Sequence, residues 1–303
     1  MSHPHHHGHA HAHAEYGKRF ALAAIFNALF IIVEAGFGFY ADSLALIADA
    51  AHNVSDVLGL VVAWVAYTLC QRKPDARYTY GFRGSSIVAA LFNALLLLLL
   101  TGAMAWEAVQ RLLEPVTVQS GIVAWVAGLG VLVNALSARL FTGHKHELNA
   151  RAAYLHLAGD AAASAGVAAA GIVMARTGWM WLDPLVSLLL CAIIIAAAWG
   201  VLREAVMLTL AAVPPGVDGV AVKAYLAALP GVAELHDLHI WGMSTTEVAL
   251  SAHLVVPCGH PGDVFLEEIS AVLRQRFGIT HATVQIELGD GTQACMLAPE
   301  HVV

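Results

Sequence analysis

The chain has 303 residues, of which 59% are hydrophobic and 12% are Asp, Glu, Lys or Arg, and its formal net charge is −7. Soluble domains carry about 25% charged residues, and the mean hydropathy of +0.69 indicates that much of this chain lies in lipid. The composition and the negative charge exclude a nucleic-acid-binding protein, and the four cysteines show no spacing that requires an oxidising compartment.

The first predicted segment is an N-terminal arm, residues 1–18, that contains the tract HPHHHGHAHAHA. The arm lacks the basic start and short apolar run of a signal peptide, and its composition cannot build a hydrophobic core. We expect a cytoplasmic arm that captures or buffers metal ions weakly. A purification tag is the alternative interpretation.

Six apolar stretches follow, each long enough to cross a hydrocarbon core, which needs about 20 helical residues. They predict a membrane domain over residues 19–212. An even number of spans places both termini on one side, and the Lys and Arg residues concentrate in the loops on that side, with only Arg111 and Arg176 on the other. This bias predicts cytoplasmic termini. The predicted spans are Arg19 to Tyr40, Ser43 to Cys70, Gly84 to Leu112, Val118 to Phe141, Asn149 to Arg176 and Leu182 to Ala211.

The composition changes after the sequence Val-Pro-Pro-Gly at residues 213–216, which ends the sixth span. Alternating patterns then predict a cytoplasmic domain over residues 213–289 and a loose tail over residues 290–303. The element order αββαβ favours an open-faced, ferredoxin-like α+β sandwich with two helices on one sheet. The predicted elements are helix Val217 to Leu229, strands Val232 to Trp241 and Glu247 to Val256, helix Asp263 to Phe277 and strand His281 to Leu288.

The second and fifth spans each carry a His-x-x-x-Asp motif: His52 with Asp56, and His156 with Asp160. Positions i and i+4 share one helix face about 5 to 6 Å apart, and imidazole and carboxylate are ligands that a tetrahedral zinc ion accepts. Ionisable groups in mid-membrane are costly and usually functional. The motifs therefore predict one divalent-cation site built from all four residues. The alternative is that each pair is a hydrogen bond between helices.

The two spans are antiparallel, so a shared depth would place His52 beside Asp160 and Asp56 beside His156. Asp49 lies three residues before His52, nearly on the same helix face. We expect Asp49 to orient a metal ligand or to bond a neighbouring helix, without itself binding the ion.

The run SLALIADAAHNVSDVLG, the second His-x-x-x-Asp motif and the segments HDLHIW, SAHL and ITHATVQIE resemble the cation diffusion facilitator family, most closely its zinc-transporting branch. The likeness extends from about Arg19 to Glu287. It implies six spans, a cytoplasmic metal-binding and dimerisation domain, a homodimer in the cell inner (plasma) membrane, and export of Zn²⁺ against protons. It also implies that His52, Asp56, His156 and Asp160 form the transport site.

The resemblance further implies a zinc site in the cytoplasmic domain at His236, His253, His281 and Glu287. Strand alternation places the last three on the face away from the core, whereas His236 shares the parity of the apolar Leu238 and Ile240. His236 would therefore have to lie at the fraying end of its strand, and His239 is a possible substitute. The alternative is that these are solvated strand histidines.

Ligand protonation suggests how such a membrane site would work. Zinc needs neutral imidazole and ionised carboxylate, so protons compete with it; alternating exposure would then give a Zn²⁺/H⁺ antiporter rather than an enzyme, with zinc as substrate and possible regulator. In the family, His at the position of His52 favours Zn²⁺ and Cd²⁺. A membrane-anchored zinc sensor or buffer, and a transporter of cobalt, iron or manganese, remain alternatives. The sequence contains no HExxH motif, which argues against an intramembrane metallohydrolase.

Overall fold

A computed structural model of the chain describes residues 25–140, 148–289 and 295–299. The predicted histidine-rich arm and most of the predicted tail lie outside these residues. The chain divides into two compact units: the first contains the described residues up to Leu60 and Leu95–Trp199, and the second contains Val61–Ala94 and the described residues from Gly200 onward.

Within the described residues, five helices are long and apolar enough to cross a membrane, and they coincide with the second to sixth predicted spans. In the same part of the chain, the first predicted span corresponds to a shorter apolar helix. The helices are α1 (Ile25–Tyr40), α2 (Leu44–Cys70), α3 (Ser85–Leu113), α4 (Ser120–Arg139), α5 (Leu148–Thr177) and α6 (Leu182–Thr209).

Small residues allow close packing of α4 and α5 in the first unit. A Cβ atom at Gly171 of α5 would lie 2.7 Å from the backbone nitrogen of Ala124 in α4, and one at Gly130 of α4 would lie 3.0 Å from the Ser164 hydroxyl in α5. Helices in lipid associate mainly through such contacts, because water does not drive their association. Glycine at these two positions therefore holds α5, with its His-x-x-x-Asp motif, tightly against α4.

The start of α2 is bonded to two distant helices. Asp183, fully buried at the start of α6, accepts hydrogen bonds from the Leu44 backbone N–H at 2.8 Å and from the Ser43 hydroxyl. Arg111 of α3 donates to the Asp42 carbonyl at 2.7 Å and pairs with the Asp42 carboxylate at 2.8 Å. The Leu44 N–H and the Ser43 hydroxyl, two donors at this helix end, thus have an acceptor outside α2.

The second unit contains the predicted αββαβ order, as α7 (Gly219–Ala227), β1 (Glu234–Gly242), β2 (Val248–Val255), α8 (Asp263–Phe277) and β3 (Ile279–Glu287). The sheet order is β1-β2-β3, in which β1 is antiparallel to β2 and β2 is parallel to β3. Asp218 caps α7 by accepting a hydrogen bond from the Ala221 N–H at 3.0 Å. The buried core is apolar and includes Val222, Leu226, Leu250, Leu254, Ile269 and Leu273.

An irregularity in β1 changes which side chains share a face. The pairing with β2 shifts between His236 and His239, and Asp237 has a positive φ of 49°, a conformation that Asp tolerates better than most residues. Such a bulge places an extra residue in one strand. As a result, His236 pairs directly with His253 of β2. The expectation that His236 must lie at a fraying strand end is wrong, because the bulge reverses the parity of the strand.

Candidate metal centres

The four residues of the His-x-x-x-Asp motifs come together in the first unit, and we call them the membrane cluster: His52 and Asp56 from α2, His156 and Asp160 from α5. The Asp56 Oδ2 atom lies 3.7 Å from His52 Nε2 and 3.4 Å from His156 Nε2. His156 Nε2 in turn lies 3.5 Å from Asp160 Oδ2. Facing nitrogen and oxygen atoms at these separations suit the ligands of a small divalent cation.

The arrangement within the membrane cluster is uneven. The Asp160 side chain is 9% exposed, whereas that of His156 is 50% exposed. The expected contact between Asp56 and His156 is present, but the ion-pair partner of His52 is Asp56 on its own helix. His52 Nδ1 and Asp56 Oδ2 are buried atoms without a hydrogen-bond partner among the described residues. Because unsatisfied buried polar atoms are costly, these atoms are available to a ligand.

Asp49, which we expect to act without binding the ion, bonds a neighbouring helix. Its side chain is buried, and its Oδ2 atom accepts a hydrogen bond from the Ser164 hydroxyl of α5 at 2.9 Å. Ser164 lies one turn after Asp160 on α5. Asp49 therefore joins α2 to α5 beside the membrane cluster.

A second group in the second unit is more compact, and we call it the sheet cluster: His236, His253, Glu287 and Cys295. One nitrogen, oxygen or sulfur atom from each residue lies within 4.8 Å of those of all the others. His236 Nε2 is 3.3 Å from Glu287 Oε2, and His253 Nδ1 is 3.0 Å from Glu287 Oε1. The Cys295 sulfur lies 3.6 Å from His253 Nδ1. Two imidazoles, a carboxylate and a thiol form a donor set that zinc accepts.

His236 gives the clearest sign that the sheet cluster fits a metal ion. Its side chain is 7% exposed, and neither ring nitrogen has a hydrogen-bond partner among the described residues. An unsatisfied buried polar group costs about 1 to 3 kcal/mol. A metal ion bound to one ring nitrogen would remove part of that cost.

The two acidic members of the sheet cluster have opposite pKa shifts. Burial raises the pKa of Glu287, but hydrogen bonds from Cys295 and Gln285 and the nearby His236 and His253 outweigh it, so this pKa lies below its ordinary value. A hydrogen bond from the Leu297 backbone lowers the pKa of the Cys295 thiol, but burial and the Glu287 carboxylate raise it more. The carboxylate is thus ready for a cation, whereas the thiol must first lose a proton.

The structure does not bring His281 to the sheet cluster. It has the same strand parity as Glu287, but it lies six residues earlier in β3, and a strand rises about 3.3 Å per residue. His281 pairs instead with Ala249 at the start of β2, and its ring packs edge-on against Tyr80 with centroids 5.7 Å apart. His239, the possible substitute for His236, binds Asp237 at 2.8 Å and is not a member.

Cys295, rather than the His281 that the resemblance implies, is the fourth member of the sheet cluster, and no sequence pattern predicts this. The residue lies beyond the last strand, in a segment without periodicity. Its residue type is the only signal, because a half-buried thiol in a protein without a disulfide spacing is a potential metal ligand.

Comparisons with known proteins cover almost the whole chain. Residues 20–208 match the family described as Cation efflux transmembrane domain, and residues 214–288 match the one described as Cation efflux protein, cytoplasmic domain. The chain is 35% identical over 275 residues to the metal cation efflux system protein CzcD of Cupriavidus metallidurans, covering 90% of this chain and 87% of that protein.

Two further relatives carry more specific names. The chain is 34% identical over 291 residues to the zinc transporter ZitB of Escherichia coli, covering 95% of this chain and 93% of that protein. It is 32% identical over 267 residues to the cadmium, cobalt and zinc/H(+)-K(+) antiporter of Bacillus subtilis, covering 85% of each chain.

Proposed function

Since the chain belongs to the zinc branch of the cation diffusion facilitator family, whose members are multi-pass cation efflux transporters, we propose that it exports Zn²⁺ from the cytoplasm in exchange for protons. Cd²⁺ is a second expected substrate. The names of two relatives support zinc as cargo, and the name of one supports proton exchange. The observation that carries the proposal is the membrane cluster, in which two helices bring two imidazoles and two carboxylates together.

The ligand chemistry explains how protons would drive zinc outward. Asp56 lies between both imidazoles, at 3.7 Å from His52 and 3.4 Å from His156, so a zinc ion there would contact groups that all bind protons as well. Zinc held from the cytoplasm displaces protons, and protons arriving from outside displace zinc. If α2 and α5 open the cluster to each side in turn, each cycle moves zinc out and protons in. The four side chains are the proposed transport ligands.

We assign the sheet cluster a regulatory role in the same proposal. Bound zinc would link β1, β2, β3 and the tail through His236, His253, Glu287 and Cys295, which lie close together. Zinc acting as a regulator must bind one conformation of the transporter better than another. The expected consequence is faster export when cytoplasmic zinc is abundant.

The remaining organisation is proposed from the sequence and the family. The chain has six spans over residues 19–212 and a ferredoxin-like cytoplasmic domain over residues 213–289. Two copies associate through that domain, and the protein lies in the cell inner membrane with both termini in the cytoplasm. The excess of Lys and Arg in the loops on that side supports this orientation.

The test is zinc uptake by the full-length protein in proteoliposomes, with a zinc dye and a pH dye inside. An acidic interior should accelerate zinc entry, and each zinc ion that enters should raise the internal pH. A protonophore should abolish the acceleration, and protein-free liposomes are the control. Zinc entry that ignores the pH gradient and moves no protons would contradict proton exchange. A protein that binds zinc but transports none would favour the sensor or buffer.

A further inference from the structure

Two buried carboxyl groups lie beside the membrane cluster without belonging to it, Glu34 of α1 and Asp49 of α2. Their exposed fractions are 0% and 2%. An ionised group at membrane depth costs several kcal/mol, and such groups usually mark ion or proton pathways. We call Glu34 and Asp49 the carboxyl pair.

Each member of the carboxyl pair has one neutral hydrogen-bond donor. The Asn53 side-chain amide lies 3.4 Å from Glu34 Oε2, and the Ser164 hydroxyl lies 2.9 Å from Asp49 Oδ2. Asp49 and Asn53 lie four positions apart on α2 and share one helix face, so the bond from Asn53 makes Glu34 a neighbour of Asp49. Glu34 Oε1 has no donor among the described residues. Ionised carboxylates only accept hydrogen bonds, so two neighbouring carboxyl groups can bond each other only when one of them carries a proton.

Among the described residues, neither group that acts most strongly on the carboxyl pair is a Lys or Arg that could replace that proton. These two groups are His52 from α2 and Asp160 from α5, and both belong to the membrane cluster. From α4 the nearby position is Gly130, which has no side chain and leaves room for the Ser164 hydroxyl. Two like charges in a buried site cannot both remain ionised without a large cost. One proton bound at Glu34 Oε1 would give this oxygen a hydrogen to donate and would lower the negative charge of the carboxyl pair.

We propose that the carboxyl pair carries one of the exchanged protons, at a site separate from the zinc ligands. The inference rests on the proposed zinc/proton exchange. The proton moves between a carboxyl oxygen of the pair and water, and no other bond changes. Zinc in the membrane cluster adds positive charge beside the pair and favours its ionised form, so the proton leaves. By the reciprocity of linked binding, a protonated pair weakens zinc binding.

The test counts protons and zinc ions in the same proteoliposomes for the unmodified protein, Glu34→Gln and Asp49→Asn. Either substitution should lower the number of protons exchanged per zinc by about one, while zinc transport continues at a reduced rate. Glu34→Asp, which keeps a carboxyl group, should restore part of the coupling. Ser187→Ala, which removes a buried hydroxyl of α6, is the matched control and should keep the full ratio.

A merely structural role would slow transport in Glu34→Gln and leave the ratio unchanged, and that result would overturn the proposal. If the variants do not fold, infrared difference spectra of the unmodified protein can still show whether the carboxyl pair carries a proton. The band of a protonated carboxyl group should disappear when zinc is added, and its absence before zinc would reject the pair as a proton site. If the number of protons exchanged per zinc ion changes when choline replaces potassium in the buffer, the carboxyl pair binds a metal cation instead of a proton.

Failure of this inference is distinguishable from failure of the proposed function. If the unmodified protein moves zinc without any protons, the exchange itself is wrong and the carboxyl pair has no proton to carry. If the unmodified protein exchanges protons and both substitutions keep its ratio, the exchange stands and only the separate proton site is rejected.

Discussion

The membrane cluster takes its four side chains from two helices, whereas the sheet cluster takes its four from three strands and the tail. In the membrane cluster Asp56 lies between the two imidazoles, and the exposed fractions range from 9% for Asp160 to 50% for His156. In the sheet cluster all four ligand atoms lie within 4.8 Å of one another, and His236 is nearly buried. The first arrangement is open and uneven, and the second is compact.

This difference corresponds to the tasks proposed for the two clusters. An ion that must leave on the far side needs ligands that water and protons can reach, and weak enough binding to release it. An ion that reports its own concentration can be held in a compact, mostly buried set. A thiol appears only in the sheet cluster, which strengthens retention of zinc. Removing a ligand side chain from the membrane cluster should therefore stop transport. Removing one from the sheet cluster should only change the transport rate.

The largest effect is expected from Asp56→Ala, because Asp56 contacts both imidazoles of the membrane cluster. Zinc transport in proteoliposomes should fall by more than the roughly 10- to 100-fold that loss of an outer-sphere partner costs. Asp160→Ala should behave alike. Glu267→Gln, an exposed carboxylate on α8, is the control. Robust transport by a well-folded Asp56→Ala protein would remove it from the set of transport ligands.

A smaller effect is expected from the double substitution His236→Ala, His253→Ala. At zinc concentrations about 100 times the dissociation constant, a native-state ligand stabilises a protein by about 2.7 kcal/mol. We expect this zinc-induced rise in melting temperature to disappear when measured in an Asp56→Ala, Asp160→Ala background. In the otherwise unmodified protein the transport rate should fall without a change in ion preference.

His281→Ala is the matched control for that double substitution. The structure places His281 against Tyr80, away from the sheet cluster, so the stabilisation by zinc should persist in this variant. A loss as large as that of the double substitution would show that His281 is a ligand after all.

The third effect concerns selectivity. His52→Asp replaces a borderline nitrogen ligand by a harder oxygen ligand, so transport of Mn²⁺ or Fe²⁺ relative to Zn²⁺ should rise several-fold while zinc transport is retained. The measurement is competitive uptake of paired ions. Identical ion ratios before and after the change would place His52 outside the ligand set, and the comparison would then rest on three membrane residues.

The smallest effect is expected from Cys295→Ser. The pKa of this thiol lies above its ordinary value, so at neutral pH zinc must displace a proton from it, and zinc affinity should rise with pH. The low pKa of Glu287 keeps that carboxylate ionised, so it adds nothing to this slope near neutrality. Without the thiol, the slope of zinc affinity of the sheet cluster against pH should decrease by about one proton per zinc. An unchanged slope would exclude a Cys295 ligand.

The proximity of the four side chains in the membrane cluster could be predicted from the sequence because its geometry is local. Two residues four positions apart on a helix share a face whatever surrounds them, so the pairs needed only two helices packed side by side. The uneven result, with His52 nearest to Asp56 rather than Asp160, depends on helix rotation, which spacing does not determine.

The sheet cluster was only partly predictable because its geometry depends on strand register. His253 and Glu287 follow from alternation, but His236 reaches the same face only through the bulge at Asp237. His281 lies on the same face of β3 as Glu287, but it is too far along the strand to join the sheet cluster. Alternation predicts the face of a side chain and not its distance along the strand. Cys295 joins from a segment with no periodic signal.

The bonds between Asp183 and the start of α2 have a consequence for how the chain assembles in the membrane. Ser43 and Leu44 find their acceptor about 140 positions later in the sequence. Before α6 has been synthesised, the start of α2 lacks this partner, and unsatisfied backbone groups are poorly tolerated in lipid. Nascent chains that stop before α6 should therefore remain assembly intermediates. In these chains a protease should cleave the turn between α1 and α2, and the turn should become protected only once Asp183 has been synthesised.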